Sequence, residues 1–192
     1  MKMQQLPTFL VLLLIGGLWA CQSKPDSHTA LQSAQVDLPI DEEALIARLS
    51  GDYIPEPQTR NEQDRNAMLD YAIQEMLPVE ATRSGLYLWV QNPGTSEPSK
   101  WGQRISAHYT GQLLDGTVFD DSRERGRPMS FTVGNMIPGF NEAMMMLGKG
   151  GRAVVLIPSA LAYGERNITD SKGQEVIPAH AVLRFDVERV EQ

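Results

Sequence analysis

The sequence predicts an α+β fold for the second half of this 192-residue chain: antiparallel strands in hairpin order with one helix lying across the sheet. Three observations carry that reading. From Ser84 onward the apolar residues recur with period two, as in half-buried strands. Only one later stretch keeps helical spacing: Phe140, Ala143, Met144 and Leu147 fall at i, i+3, i+4 and i+7. Asn92-Pro93-Gly94 and Asp115-Gly116 are turn signals placed between strand runs.

Four segments follow from the N-terminus. Residues 1–20 read as a signal peptide: Lys2 supplies a short positive region, and Leu6 to Leu18 is an apolar run too short for a comfortable bilayer span. The run ends at Leu18-Trp19-Ala20-Cys21, which resembles the bacterial lipobox. There the thiol of Cys21 is diacylated, the peptide is cut before it, and the new N-terminus is acylated. Two or three acyl chains anchor stably where one does not. Cleavage removes Lys2 and leaves 16 basic against 24 acidic residues. Gln22 after the cysteine resembles the enteric signal for outer-membrane placement, so the expected location is the cell envelope, lipid-anchored, facing the periplasm.

Residues 21–40 are the lipidated cysteine and a polar, Pro- and Ser-containing stretch without a sustained period, read as a flexible tether. Residues 41–80 form a small helical neck. Asp41 is the N-cap candidate of a helix running to about Leu49, with acids in its first turn, and Gly51 ends it. A second helix is expected from Asn61, with an apolar stripe of Met68, Leu69, Ala72, Ile73, Met76 and Leu77, stopped by Pro78. Such short helices bury little alone. They either dock on the following domain, the preferred reading, or pair with a second copy to give a homodimer.

Residues 81–192 hold the sheet. Strands are expected at 86–90, 103–114, 117–120, 129–133, 152–157 and 181–187. In the long strand Ile105, Ala107 and Tyr109 face one way and Arg104, Ser106 and His108 the other. Pro138-Gly139 starts the helix, and Gly148 is its C-cap candidate. Met144-Met145-Met146 reads as core filling rather than a metal-binding methionine box.

Composition narrows the function. The net charge of −7 argues against a nucleic-acid partner, which needs a basic face. One cysteine excludes an internal disulfide framework and a Cys-based zinc cage, and three scattered histidines suggest no metal site. His108 and His180 read as structural polar residues. Gly148-Lys149-Gly150-Gly151 lacks the spacing of a phosphate loop and reads as a turn. The sequon at Asn167-Ile168-Thr169 carries little weight beside a lipobox.

His108-Tyr109-Thr110-Gly111 and Leu114-Asp115-Gly116-Thr117-Val118-Phe119-Asp120 are followed by Arg125, a strand from Pro128 to Phe131, and Ile137-Pro138-Gly139-Phe140. Then come Pro158, Leu161-Ala162-Tyr163-Gly164, Ile177-Pro178-Ala179-His180 and Leu183-Phe185-Asp186-Val187. In order and spacing this set resembles the FKBP-type peptidyl-prolyl isomerases, over Ser84 to Gln192. The resemblance implies a twisted antiparallel sheet wrapped around one short helix, with an apolar pocket between them. It implies a reaction on X–Pro bonds of polypeptides and no cofactor or metal. The catalytic set it implies is Tyr109, Phe119, Asp120, Ile137, Tyr163 and Phe185. Arg125, Met129, Phe131, Met136, Phe140 and Ile177 would line the substrate pocket, with Val176 at its rim and Phe140 as its floor. The backbone N–H of Ile137 and the Tyr163 hydroxyl would each hold a substrate carbonyl. Asp120 would be buried, paired with Arg125 and Tyr109, acting either on the bond or as a structural acceptor. Phe140 and Met129 replace larger aromatics common in the family but keep the site apolar. The rival reading is a non-catalytic chaperone or scaffold lipoprotein of the envelope using the same pocket; a structural subunit of an envelope machine is weaker.

Overall fold

A computed structural model describes residues 40–190. The expected signal peptide, the expected lipobox with Cys21, and the expected tether up to residue 39 lie outside the described residues. Helix α1 (Glu42–Ser50) starts as expected: the Asp41 carboxylate accepts from the Ala44 N–H at 3.1 Å, and Leu45 and Leu49 are buried. Helix α2 (Arg60–Gln74) starts one residue earlier than expected, because Thr59 and Glu62 form a reciprocal capping box. It also ends earlier, at Gln74 instead of against Pro78. Met76 turns the chain with φ +52°, and the N–H groups of Met76 and Leu77 reach back to Ile73 and Ala72 at 3.2 and 2.8 Å. That is a Schellman termination with methionine in the place usually held by glycine.

The sheet contains β1 (Glu80–Ala81), β2 (Tyr87–Asn92), β3 (Arg104–Leu113), β4 (Val118–Asp121), β5 (Met129–Thr132), β6 (Arg152–Ile157) and β9 (Leu183–Arg189). All pairs are antiparallel, in the order β1-β2-β6-β9-β3-β4, with β5 also on β3. The expected hairpin order is therefore corrected. Turn signals locate tight connections such as Asp115-Gly116 between β3 and β4. They do not reveal that helix α3 (Pro138–Met144) carries the chain from one side of the sheet to the other. β9 pairs along one edge of β3 from Ala107 to Leu113. The other edge is shared: residues 104–107 pair with β5 and 110–112 with β4. The connection between β4 and β5 is thereby forced outward as a projecting turn over 122–128.

β7 (Ile168–Thr169) and β8 (Glu175–Ile177) form a separate small hairpin between the strands expected at 152–157 and 181–187. α3 is shorter than its apolar spacing suggests. Met145 is its C-cap, so Gly148 is not; a Cβ at Gly148 would meet the Ser96 carbonyl oxygen at 2.2 Å, so close backbone approach explains this glycine. Met144 is fully buried, while Met146 is exposed.

Both faces of the sheet are covered. Leu86, Leu88, Ala153, Val155 and Ile157 face α3; Tyr87, Val154 and Leu156 face α1 and α2. Burial on both faces explains why β6 is an unbroken apolar run. Met68, Leu69, Ala72 and Leu77 of the neck stripe are buried against this outer face, so docking takes up the surface that pairing would use.

Candidate functional site

The sheet wall of the site begins with β3. Tyr109 and Gly111 project toward α3, and Phe185 of β9 lies directly opposite Gly111. A Cβ at Gly111 would sit 2.7 Å from the Phe119 ring and 2.8 Å from that of Phe185, so the two aromatics close over the missing side chain. A register irregularity between Gly111 and Gln112 breaks the alternation there. Bulges re-aim side chains, and here two successive residues of β4, Phe119 and Asp120, both reach the same cavity.

Phe140 is the floor. It is 1% exposed and packs edge-to-face on Phe185, Phe131 and Tyr109 at centroid distances of 5.3, 5.6 and 5.7 Å. Ile137 is the N-cap of α3 and makes no side-chain cap. N–H groups at a helix start have no partner within the helix, so this end presents donors beside the cavity. The preceding turn is held from inside by Asn141. Its Oδ1 accepts from Gly134 N–H at 2.8 Å and its Nδ2 donates to the Met136 carbonyl at 2.6 Å. The result is a cavity of about 240 Å³ lined by Tyr109, Phe119, Asp120, Asn135, Met136, Ile137, Phe140, Tyr163 and Phe185.

One carboxylate, that of Asp120, lines this cavity. The Tyr109 hydroxyl donates to Asp120, Arg125 pairs with the other carboxylate oxygen, and Arg125 Nη2 donates to the Tyr109 hydroxyl at 2.8 Å. The guanidinium also stands 5.5 Å from the Tyr109 ring centroid. The Asp120 side chain is 37% exposed, which corrects the expectation that it is buried, because the projecting turn leaves its outer side open. That turn is built on Asp121, which accepts from the Thr110 hydroxyl at 2.7 Å and the Arg123 N–H at 2.6 Å. The Thr110 bond, ahead of the backbone donors, holds the Asp121 carboxyl below its ordinary range. Ser122, fully buried, accepts from Tyr109 N–H at 2.8 Å and bonds His108 Nδ1 at 3.1 Å, so His108 serves the turn rather than the cavity.

All six residues of the expected catalytic set line the cavity, with Met136 and Phe140. Arg125 joins through Asp120. Phe131 and Ile177 are buried in the adjoining core, and Met129 and Val176 are half-buried against it, outside the lining. Asn135 and Asn141 belong to no motif in the sequence; the signal for Asn141 is a polar residue inside the apolar helix stretch. A larger groove of about 670 Å³ lies behind Pro158 and Leu161, but Asp52, Glu62, Arg65 and Arg83 line it, without converging rings. Among the described residues no cluster of His, Cys, Asp and Glu could hold a metal.

The model of the FKBP-type peptidyl-prolyl cis-trans isomerases matches residues 95–190, the stretch from before β3 to the end of β9. The chain belongs to this family. An FkpA isomerase of Aeromonas hydrophila is 43% identical over 110 residues, 57% of this chain and 39% of that one. The FKBP-type 22 kDa isomerase of Escherichia coli K12 is 42% identical over 113 residues, 59% of this chain and 52% of that one. The matched part thus spans about two-fifths to half the length of these curated FKBP relatives. The crystal structure of FkpA from Escherichia coli superposes with a TM-score of 0.59 at 30% identity, covering 76% of this chain and 62% of that one. That of AtFKBP13 gives 0.54 at 34% identity, covering 59% and 98%. The family match begins after β2, so α1, α2, β1 and β2 all precede it, while the FkpA superposition takes in a larger share of the chain.

Proposed function

We propose that this protein is a peptidyl-prolyl cis–trans isomerase acting on proline-containing polypeptides that fold outside the cytoplasm, held to a membrane of the bacterial envelope by lipid on Cys21. The observation that carries the activity is the aromatic cavity with a single charge-compensated carboxylate at its mouth. An X–Pro bond isomerises unaided in tens to hundreds of seconds. Its barrier is the loss of amide resonance. The twisted amide separates less charge than the planar one, so transfer from water to an apolar cavity favours it. This is differential binding of the transition state by desolvation, with no covalent step.

The residues divide the work. Phe140, Phe185, Phe119 and Tyr109 exclude water around the prolyl ring. The Ile137 N–H and the Tyr163 hydroxyl hold the flanking carbonyls and fix the two ends that must rotate against each other. Asp120, oriented by Tyr109 and Arg125, places negative potential beside the twisting bond. The decisive experiment is a refolding-limited isomerisation assay on the full chain in detergent, across a proline peptide series. Acceleration well above the spontaneous rate, sharply reduced in Asp120→Ala and Tyr163→Phe, is expected. Saturable peptide binding without acceleration would replace the enzyme with a chaperone or scaffold.

The envelope anchor rests on Leu18-Trp19-Ala20-Cys21 and on this being the sole cysteine. Labelled palmitate is expected to enter the wild-type chain and not Cys21→Ala, which should leave the membrane fraction. Gln22 supports the outer membrane, facing the periplasm.

A further inference from the structure

Helix α2 carries a carboxylate that its docking does not require. Asp64 is fully buried, and a carboxylate removed from water must be compensated. Its partners are specific. Oδ2 accepts from the N–H of Ser159 at 2.8 Å and from its hydroxyl at 2.5 Å, while Oδ1 accepts no hydrogen bond and is compensated by the Arg60 guanidinium as an ion pair, with Nε at 2.7 Å. Arg60 extends the link, its Nη2 donating to the His180 carbonyl at 2.5 Å.

Both ends of that link lead to one residue of the site. Ser159 opens the 3-10 turn Ser159–Leu161, and its carbonyl accepts from Ala162 at 3.0 Å and Gly164 at 2.8 Å. Gly164 in turn accepts from His180 N–H at 2.7 Å, and His180 is held in the left-handed region at φ +60°. Tyr163 thus sits between two segments fastened to α2 by the same ion pair. The apolar stripe suffices to dock the helix, and a buried charge adds little net stability over an apolar contact. What it adds is a fixed geometry.

We propose that Arg60 and Asp64 are positioning residues that set Tyr163 in the cavity, so that a helix outside the family's matched region tunes the site. This rests on the isomerase reading above. Misplacement of a binding group by about 1 Å costs on the order of 100-fold in rate. Asp64→Asn is therefore expected to lower kcat by roughly 10- to 100-fold with KM changed little. Ser159→Ala should lower it less, and Ser159→Thr, which keeps the hydroxyl, should restore it. In a Tyr163→Phe background, Asp64→Asn should cost nothing more, because the two act through one group. Independent losses in the double variant would overturn the proposal, as would full activity of Asp64→Asn.

A second readout does not depend on activity. Amide exchange of Gly164 and His180 should accelerate in Asp64→Asn, or in Ser159→Ala if that variant is the one that folds, while β3 and β9 stay protected. Unchanged protection at Gly164 and His180 would overturn the proposal even if the wild-type chain proved inactive. Inactivity with lost protection would count against the isomerase reading alone.

Discussion

Gly111 decides how the cavity is walled. The rings of Phe119 and Phe185 occupy the space of its absent Cβ, and their centroids are 5.7 Å apart, edge to face. Gly111→Ala would push one ring off its rotamer. Overpacking of this kind costs about 1–3 kcal/mol, and here the displaced wall belongs to the site. Activity is expected to fall further than stability: a loss of at least about tenfold in kcat/KM, the size a small misplacement produces, with a modest drop in urea midpoint. Equal kinetics in the folded variant would sink the assignment of these two rings. Asn141 offers a contrasting case. Its amide holds the turn that leads into Met136 and Ile137, so Asn141→Leu should also lower activity, with the folded sheet retained. Composition points to neither residue's task, since Gly111 acts through the rings it lets approach and Asn141 through the backbone it holds in place.

The elements show where sequence patterns suffice. β6 and the period-two stretch of β3 lie where the sequence puts them, because β3 is long enough for its period to repeat and β6 is continuously apolar after Arg152. α1 begins at its cap for a local reason, and α2 begins one residue ahead of Asn61 for an equally local one, the Thr59–Glu62 capping box. β1, β7 and β8, of two or three residues, carry no period and could not be read. The strand order could not be read either, since it depends on the path of α3 across the sheet and on β4 and β5 sharing one edge of β3. The six cavity residues were accessible only through their family resemblance; the register irregularity that brings Phe119 and Asp120 together leaves no period of its own. The neck is where element packing makes the clearest energetic claim. Leu69 is fully buried against the outer face, so Leu69→Ala should cost about 2–5 kcal/mol through lost transfer and cavity formation. Equilibrium urea unfolding measures it; a cost near zero would mean that α2 is not docked in solution. The link from Arg184 to Tyr71 at 2.7 Å, with Gln112 at 3.3 Å to the same hydroxyl, seals the polar end of that interface.

Across the molecule, the carboxylates with depressed pKa values sit at the ends and turns of different elements. Glu62 is held down first by the Thr59 backbone at the start of α2, and Asp115 by the Thr117 backbone in the β3–β4 hairpin. Asp121 is held down by Thr110 under the turn that carries Arg125, and Glu188 on β9 by Arg123 and then Arg152. Each binds its proton less readily when folded than when unfolded, where carboxyls titrate near about 4. Their stabilisation is therefore complete above that value and is lost as pH falls through the folded-state values, because the unfolded chain then takes up protons first. The urea midpoint should be level from pH 7 to about pH 5 and fall progressively below about 4. Asp121→Asn should lower the midpoint at neutral pH and flatten the acid fall. Salt should reduce the contribution of Glu188, whose partners are exposed arginines, more than that of Asp121, which rests on hydrogen bonds. Because Asp121 braces the turn bearing Arg125, local loosening there should accompany the fall, seen as faster amide exchange at Arg123 and Glu124 before the sheet opens. A midpoint that rose between pH 5 and 3, or exchange that began in β3 and β9 instead, would contradict this order.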